Sequence, residues 1–171
     1  MTRYAAFLRG VNVGGINIKM ADLARVLTDT GFDNVRTILA SGNVLLDSAS
    51  DANEVRTTAE RALREAFGYE AWVLVYDVET LAQISAAYPF EREVEGHHSY
   101  VTFVSDPDVL DELAALPPGA AEKAQRGDGV LYWQVARSAT LDSAIGKTMG
   151  KKRYKSSTTT RNLRTLDKVL C

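Results

Sequence analysis

From Arg3 to Tyr76 the apolar residues change period in a fixed order, and that order restricts the fold more than any composition figure. Arg3 to Leu8 is a short apolar run broken by Gly10 to Gly15. Met20, Leu23, Ala24 and Leu27 then recur at helical spacing, with Gly31 placed to end the helix. Val35 to Ala40 and Val44 to Asp47 read as two strands joined by Ser41-Gly42-Asn43, a tight glycine-containing hairpin. Asp51 with Glu54 forms a capping pair ahead of the apolar face Val55, Ala59, Ala62, Leu63, Ala66 and Phe67. Trp72 to Tyr76 closes the series as a strand rich in valine and aromatic residues. The sum is β-α-β-β-α-β, the split βαβ unit of ferredoxin-like folds. Right-handed crossovers put both helices on one face of a four-stranded antiparallel sheet.

A weaker repetition follows. Asp77 caps a connecting helix through Leu81, Ile84 and Tyr88, ended by Pro89, and the polar run Glu91 to His98 reads as a linker. Tyr100 to Val104 is a strand, and Asp106-Pro107 starts a helix with Leu110, Leu113 and Ala114 inward. Glu122 to Arg126 and Val130 to Val135 flank Gly127-Asp128-Gly129 as a hairpin, and Leu141 to Met149 fits the second helix. The closing strand, expected near Arg153-Tyr154, is poor, and Thr160 to Leu170 reads as a C-terminal amphipathic helix. The expectation is an α+β protein of two ferredoxin-like lobes, the second degenerate, divided as 1–90 and 91–171.

Composition excludes several classes. At 171 residues, 46% hydrophobic and 25% charged, the chain is an ordinary globular protein with no apolar run long enough to span a bilayer. The N-terminal apolar stretch is short and closed by Arg9, which does not make a secretory signal. The one cysteine, Cys171, permits no internal disulfide and no thiolate metal cluster. A cytoplasmic protein with no membrane partner is expected. His97 and His98, the two histidines, are adjacent and point apart on an extended chain, so neither a metal site nor a cofactor is expected.

Charge is unevenly placed. Lys147 to Lys168 holds eight of the twenty Lys and Arg residues and one acid, Asp167. That segment carries +7 against −2 for the whole chain, leaving −9 for the rest. A concentrated basic, hydroxyl-rich stretch on an acidic body fits an anion site. Its first part, Lys151-Lys152-Arg153-Tyr154-Lys155, interleaves cations with an aromatic as nucleic-acid binders do, but matches no RNA-binding signature and fits a solvated loop equally. In its second part Thr159, Arg161 and Asn162 stand at an expected helix start. There Arg161 fits either a forked bond to phosphate or carboxylate, or an internal bridge to one of the body's acids. The Gly10 to Lys19 segment, between strand and helix, offers Gly14 and Gly15 amides with Arg9, Asn12 and Lys19 as donors. Its spacing matches neither nucleotide-binding glycine fingerprint, and a plain β-to-α turn explains it as well.

Three segments, Phe7-Leu8-Arg9-Gly10-Val11-Asn12-Val13-Gly14-Gly15, Ser41-Gly42-Asn43-Val44 and Thr158-Thr159-Thr160-Arg161-Asn162, resemble the bacterial family catalogued as domain of unknown function 1697. The resemblance implies two ferredoxin-like units and brings no activity, cofactor or catalytic residue. The family's third motif reads Ala-Thr-Thr-Arg-Asn-Trp, whereas Thr158 and Leu163 stand here for its Ala and Trp. The favoured function is a non-catalytic anion-binding module for nucleic acid or a phosphorylated metabolite. An enzyme acting on a small phosphorylated substrate, helped by Asn12 or Ser41, is the alternative. A structural protein that pairs through exposed sheet edges into a homodimer is the third reading.

Overall fold

A computed structural model describes residues 1–9, 17–39, 42–92, 94–116, 122–136, 154 and 157–170. Its contacts divide the chain into two compact units, Met1–Ala82 with Lys168–Cys171, and Gln83–Asp167.

The first unit follows the expected order. It runs β1 (Thr2–Leu8), α1 (Met20–Thr30), β2 (Asp33–Ile38), β3 (Asn43–Ser48), α2 (Ala52–Phe67) and β4 (Val73–Asp77). The strands lie in the order β2-β3-β1-β4, all neighbours antiparallel. One sheet face, with Tyr4, Ala6, Leu8, Val44, Leu46 and Val73, packs with Leu23 and Leu27 of α1 and Val55, Ala59 and Leu63 of α2. Ala5, Phe7, Leu45 and Leu74, on the opposite face, are also buried. Both faces are therefore dry, which is why β1 reads as a continuous apolar run rather than an alternating one.

Local chemistry sets the boundaries of these elements. Gly31 sits at φ +114, where a side chain would strain, and its amide bonds to Thr28 O while Phe32 N bonds to Leu27 O. Asp51 Oδ1 accepts the Glu54 amide at 2.8 Å, the capping bond expected for α2. The Ser41-Gly42-Asn43 turn carries a second device. Asn43, fully buried, donates from Nδ2 to Ile38 O at 2.8 Å and clasps the two strands at the hairpin neck.

Tyr69 packs on this core, and its buried hydroxyl has no hydrogen-bond partner among the described residues. Burial pushes its ionisation up to about 12 from an ordinary 10.0. The folded chain thus keeps a proton that the unfolded chain releases above pH ~10. The associated stability is complete below that pH and is lost as pH rises through about 12. Tyr69→Phe, which removes the orphan oxygen and keeps the ring, is expected to leave stability unchanged or raise it by up to ~1 kcal/mol. It is also expected to flatten the alkaline fall. Urea melts at pH 7 and above pH 10 measure both, and a loss beyond ~1 kcal/mol at pH 7 would reveal a partner for the hydroxyl.

Helix α3 (Val78–Ala86) follows β4, begun by Asp77, whose carboxylate accepts from the Thr80 amide at 2.9 Å and its hydroxyl at 2.6 Å. These two bonds hold the Asp77 carboxyl below its ordinary range.

The second unit contains β5 (His97–Val104), α4 (Pro107–Ala114), β6 (Glu122–Arg126), β7 (Val130–Ala136) and β8 (Thr158–Asn162), and α5 (Leu163–Leu170) as far as Asp167. Its strand order, β6-β7-β5-β8, repeats that of the first sheet position for position. Asp106 caps α4 through the Asp108 amide at 2.9 Å, with Pro107 at the first helical position, as expected. Val104, Leu110, Leu113, Leu131, Trp133 and Val135 form its core. The duplication is thus shared topology without visible sequence repetition.

Four expectations are corrected. The closing strand is Thr158–Asn162, not the region of Arg153-Tyr154, and the last helix starts at Leu163, not Thr160. Threonine favours strands, and β8 completes its hydrogen bonding against β5, a pairing too distant in sequence to show as a local pattern. His97 and His98 open β5 instead of closing a linker. Tyr154 is buried, with its hydroxyl donating to Glu112 Oε2 at 2.9 Å, so its ring offers no face to a base. The rest of the Lys147–Lys155 segment and the expected helix at Leu141 to Met149 lie outside the described residues.

Candidate functional site

The expected site residues fall in different places. Asn12, Gly14 and Gly15 of the first glycine-rich turn, and Ser41, lie outside the described residues. Arg9 follows the first strand, its amide bonded to Trp72 O at 3.1 Å. Its guanidinium is half-buried, and desolvation lowers its pKa below the ordinary arginine value. Lys19 precedes α1, exposed and without a side-chain capping bond.

Thr159, Arg161 and Asn162 belong to β8, where neighbours alternate faces. Thr159 and Arg161 share one face and Asn162 lies on the other. Arg161 is buried, and its Nη1 donates to Thr159 Oγ1 at 2.7 Å and Thr160 O at 2.9 Å. Of the three, Asn162 reaches a cleft. Its Oδ1 accepts the Arg164 amide at 2.8 Å and so caps α5.

That cleft is a shallow one in the second unit, where β5 begins and β8 passes into α5. Arg92, His97, His98, Asn162, Arg164 and Asp167 line it with Val94, Ser99 and Leu163. Two arginines, two imidazoles and the positive end of a helix dipole converge there against one carboxylate.

Arg92 is held in place. Its Nη1 donates to Ser85 O at 2.7 Å and its Nη2 to Ser85 Oγ at 3.1 Å, tying it to the end of α3. The same Nη2 donates to Asp167 Oδ1 at 3.0 Å. The Arg92 backbone is fixed as well, since its carbonyl accepts the Ser99 hydroxyl at 3.0 Å. Gln134 Nε2 in turn donates to Ser99 Oγ at 3.1 Å and Glu91 O at 2.7 Å. A guanidinium anchored on three sides presents its charge with little ordering left to pay on binding.

The histidines take different environments. His97 Nδ1 lies 3.1 Å from Glu95 O, and because a carbonyl only accepts, that nitrogen carries the proton. His98 lies on Tyr100, ring centroids 5.5 Å apart, and Tyr100 on Trp133 at 4.6 Å. A row of rings thus runs from the cleft wall into the core. Arg164 is exposed and makes no ion pair among the described residues.

Sequence reasoning missed Arg92, His98 and Arg164. Arg92 and His98 sat in a run read as linker, and Arg92 acquires its setting only through Ser85 and Asp167, both remote in sequence. The readable signal was Asn162 as a helix cap, which locates Arg164 in the first turn of α5. Groups of three or more His, Cys, Asp or Glu placed to hold a metal ion do not occur among the described residues. No helix of the described residues is long and apolar enough to cross a membrane.

A family model described as protein of unknown function (DUF1697) matches residues 1–132. Among solved structures the chain is similar to the conserved bacterial protein SP0830 from Streptococcus pneumoniae. The two share 23% identity at a TM-score of 0.81, over 98% of this chain and 96% of that one. At that identity the likeness carries the fold alone. No curated protein matches the chain.

Proposed function

For this chain, which belongs to the DUF1697 family of proteins of unknown function, we propose binding of a small phosphorylated metabolite without turnover, in the Arg92–Arg164 cleft. The observation that carries the reading is the convergence of Arg92, Arg164, His97 and His98 at the capped start of α5. A phosphate there meets a pre-anchored guanidinium, a second arginine and helix amides, the donor set that favours an anion. The buried Tyr154 removes the aromatic on which the nucleic-acid reading leaned, and this favours a metabolite over a nucleic-acid strand. Arg9 and Lys19 would serve a separate anion site in the first unit, and Thr159 and Arg161 would support Asn162 from within β8.

Inorganic phosphate and a panel of phosphomonoesters are expected to raise the melting temperature, and Arg164→Gln is expected to weaken phosphate binding about tenfold by calorimetry. Arg164 is exposed, so the substitution leaves the fold intact. Equal phosphate affinity in wild type and Arg164→Gln would overturn the cleft as the site. Chemical change in a bound phosphomonoester, followed by phosphorus NMR, would replace binding with catalysis. Oligonucleotide binding that phosphate does not displace would restore the nucleic-acid reading.

A further inference from the structure

We propose that Asp167 acts as a built-in competitor for the anion site, holding Arg92 until a ligand's phosphate takes its place; this rests on the cleft reading above. The evidence is the asymmetry of the Arg92 contacts. Ser85 grips the guanidinium from the α3 end with two bonds from neutral acceptors, and neither contact changes the charge Arg92 presents. The remaining contact is ionic, Arg92 Nη2 to Asp167 Oδ1 at 3.0 Å. It lies at the cleft, and its partners' side chains are 39% and 57% exposed.

An exposed pair of this kind contributes little to stability, so it is readily exchanged. Asp167 also follows Arg164 by one helical turn, and the two do not pair. Arg164 thus remains available while Arg92 is occupied. An anion bridging both arginines would displace the Asp167 carboxylate, which water then solvates. Ser85 keeps Arg92 positioned throughout.

Charge gives the expected pattern. Asp167 repels an incoming anion in proportion to that anion's charge. Neutralising it in Asp167→Asn is expected to tighten inorganic phosphate at pH 8 by about tenfold and acetate by about threefold. The Arg92→Gln change, made in addition to Asp167→Asn, is expected to abolish most of that gain. Calorimetry at low ionic strength reads the affinities, and thermal melts without ligand read the structural cost of each change. If wild type binds phosphate and Asp167→Asn binds it no more tightly, the competitor role is overturned while the cleft stands. The same holds if Asp167→Asn only lowers the melting temperature. If wild type, Asp167→Asn and the double variant all fail to bind phosphate and acetate, both the competitor and the cleft reading fall.

Discussion

Trp133→Ala is expected to remove about 3–5 kcal/mol of unfolding free energy from the second unit, the cost of emptying a large aromatic site in a packed core. Trp133 is only 2% exposed and lies within the cluster of Val104, Leu110, Leu113, Leu131 and Val135. Its indole Nε1 donates to Thr102 Oγ1 at 2.9 Å, and that hydroxyl lies 2.8 Å from Thr160 Oγ1 on β8. The side chain therefore acts twice, filling the core and anchoring a polar chain that crosses β7, β5 and β8. Trp133→Phe separates the roles by keeping most of the volume and removing the donor, at about 1 kcal/mol. The protein's other tryptophan, Trp72, remains as a fluorescence reporter of the first unit. Urea melts by Trp72 emission and by far-ultraviolet circular dichroism are expected to separate in Trp133→Ala. A total loss below ~1 kcal/mol would show that Trp133 is not a core anchor.

Asn43→Ala carries the second largest effect, about 2–3 kcal/mol lost. Asn43 is fully buried at the start of β3, and its amide satisfies the Ile38 carbonyl at 2.8 Å across the hairpin neck. Removing the amide strands that carbonyl away from water, and an unsatisfied buried acceptor costs more than the bond contributed when made. Leu39, next in the chain after Ile38, sits at φ +61, a conformation that bulky residues seldom adopt. The clasp therefore holds a turn under local strain. Hydrogen exchange at the β2–β3 amides is expected to quicken in Asn43→Ala more than at β4. Uniform exchange in the two places would show that the clasp is dispensable.

Asn43 shows what can be read from sequence. Ser41-Gly42-Asn43 was legible as a hairpin because its turn chemistry is local. Asp51, Asp77 and Asp106 were legible as helix starts for the same reason, each bonding an amide two or three residues ahead. The threonines of β8 were not. Their identity as a strand depends on β5, and the amphipathic spacing of Leu163, Leu166 and Leu170 drew the helix forward over them. The cleft was still less legible. Arg92 meets Ser85 across one chain reversal and Asp167 across most of the second unit, and no local pattern announces a pairing of that range.

The repeated strand order has a consequence during synthesis. In each unit the first strand lies between the third and the fourth, so its outer edge waits for the last strand to emerge from the ribosome. For the first unit the wait ends at β4. For the second it lasts until Thr158–Asn162 is made. At ~5–20 residues per second, β5 passes several seconds in the nascent chain with that edge open, including the Thr102 position that β8 later covers. In both units, then, the edge of the first strand stays open until its closing strand is made, and each sheet is completed only at its last strand.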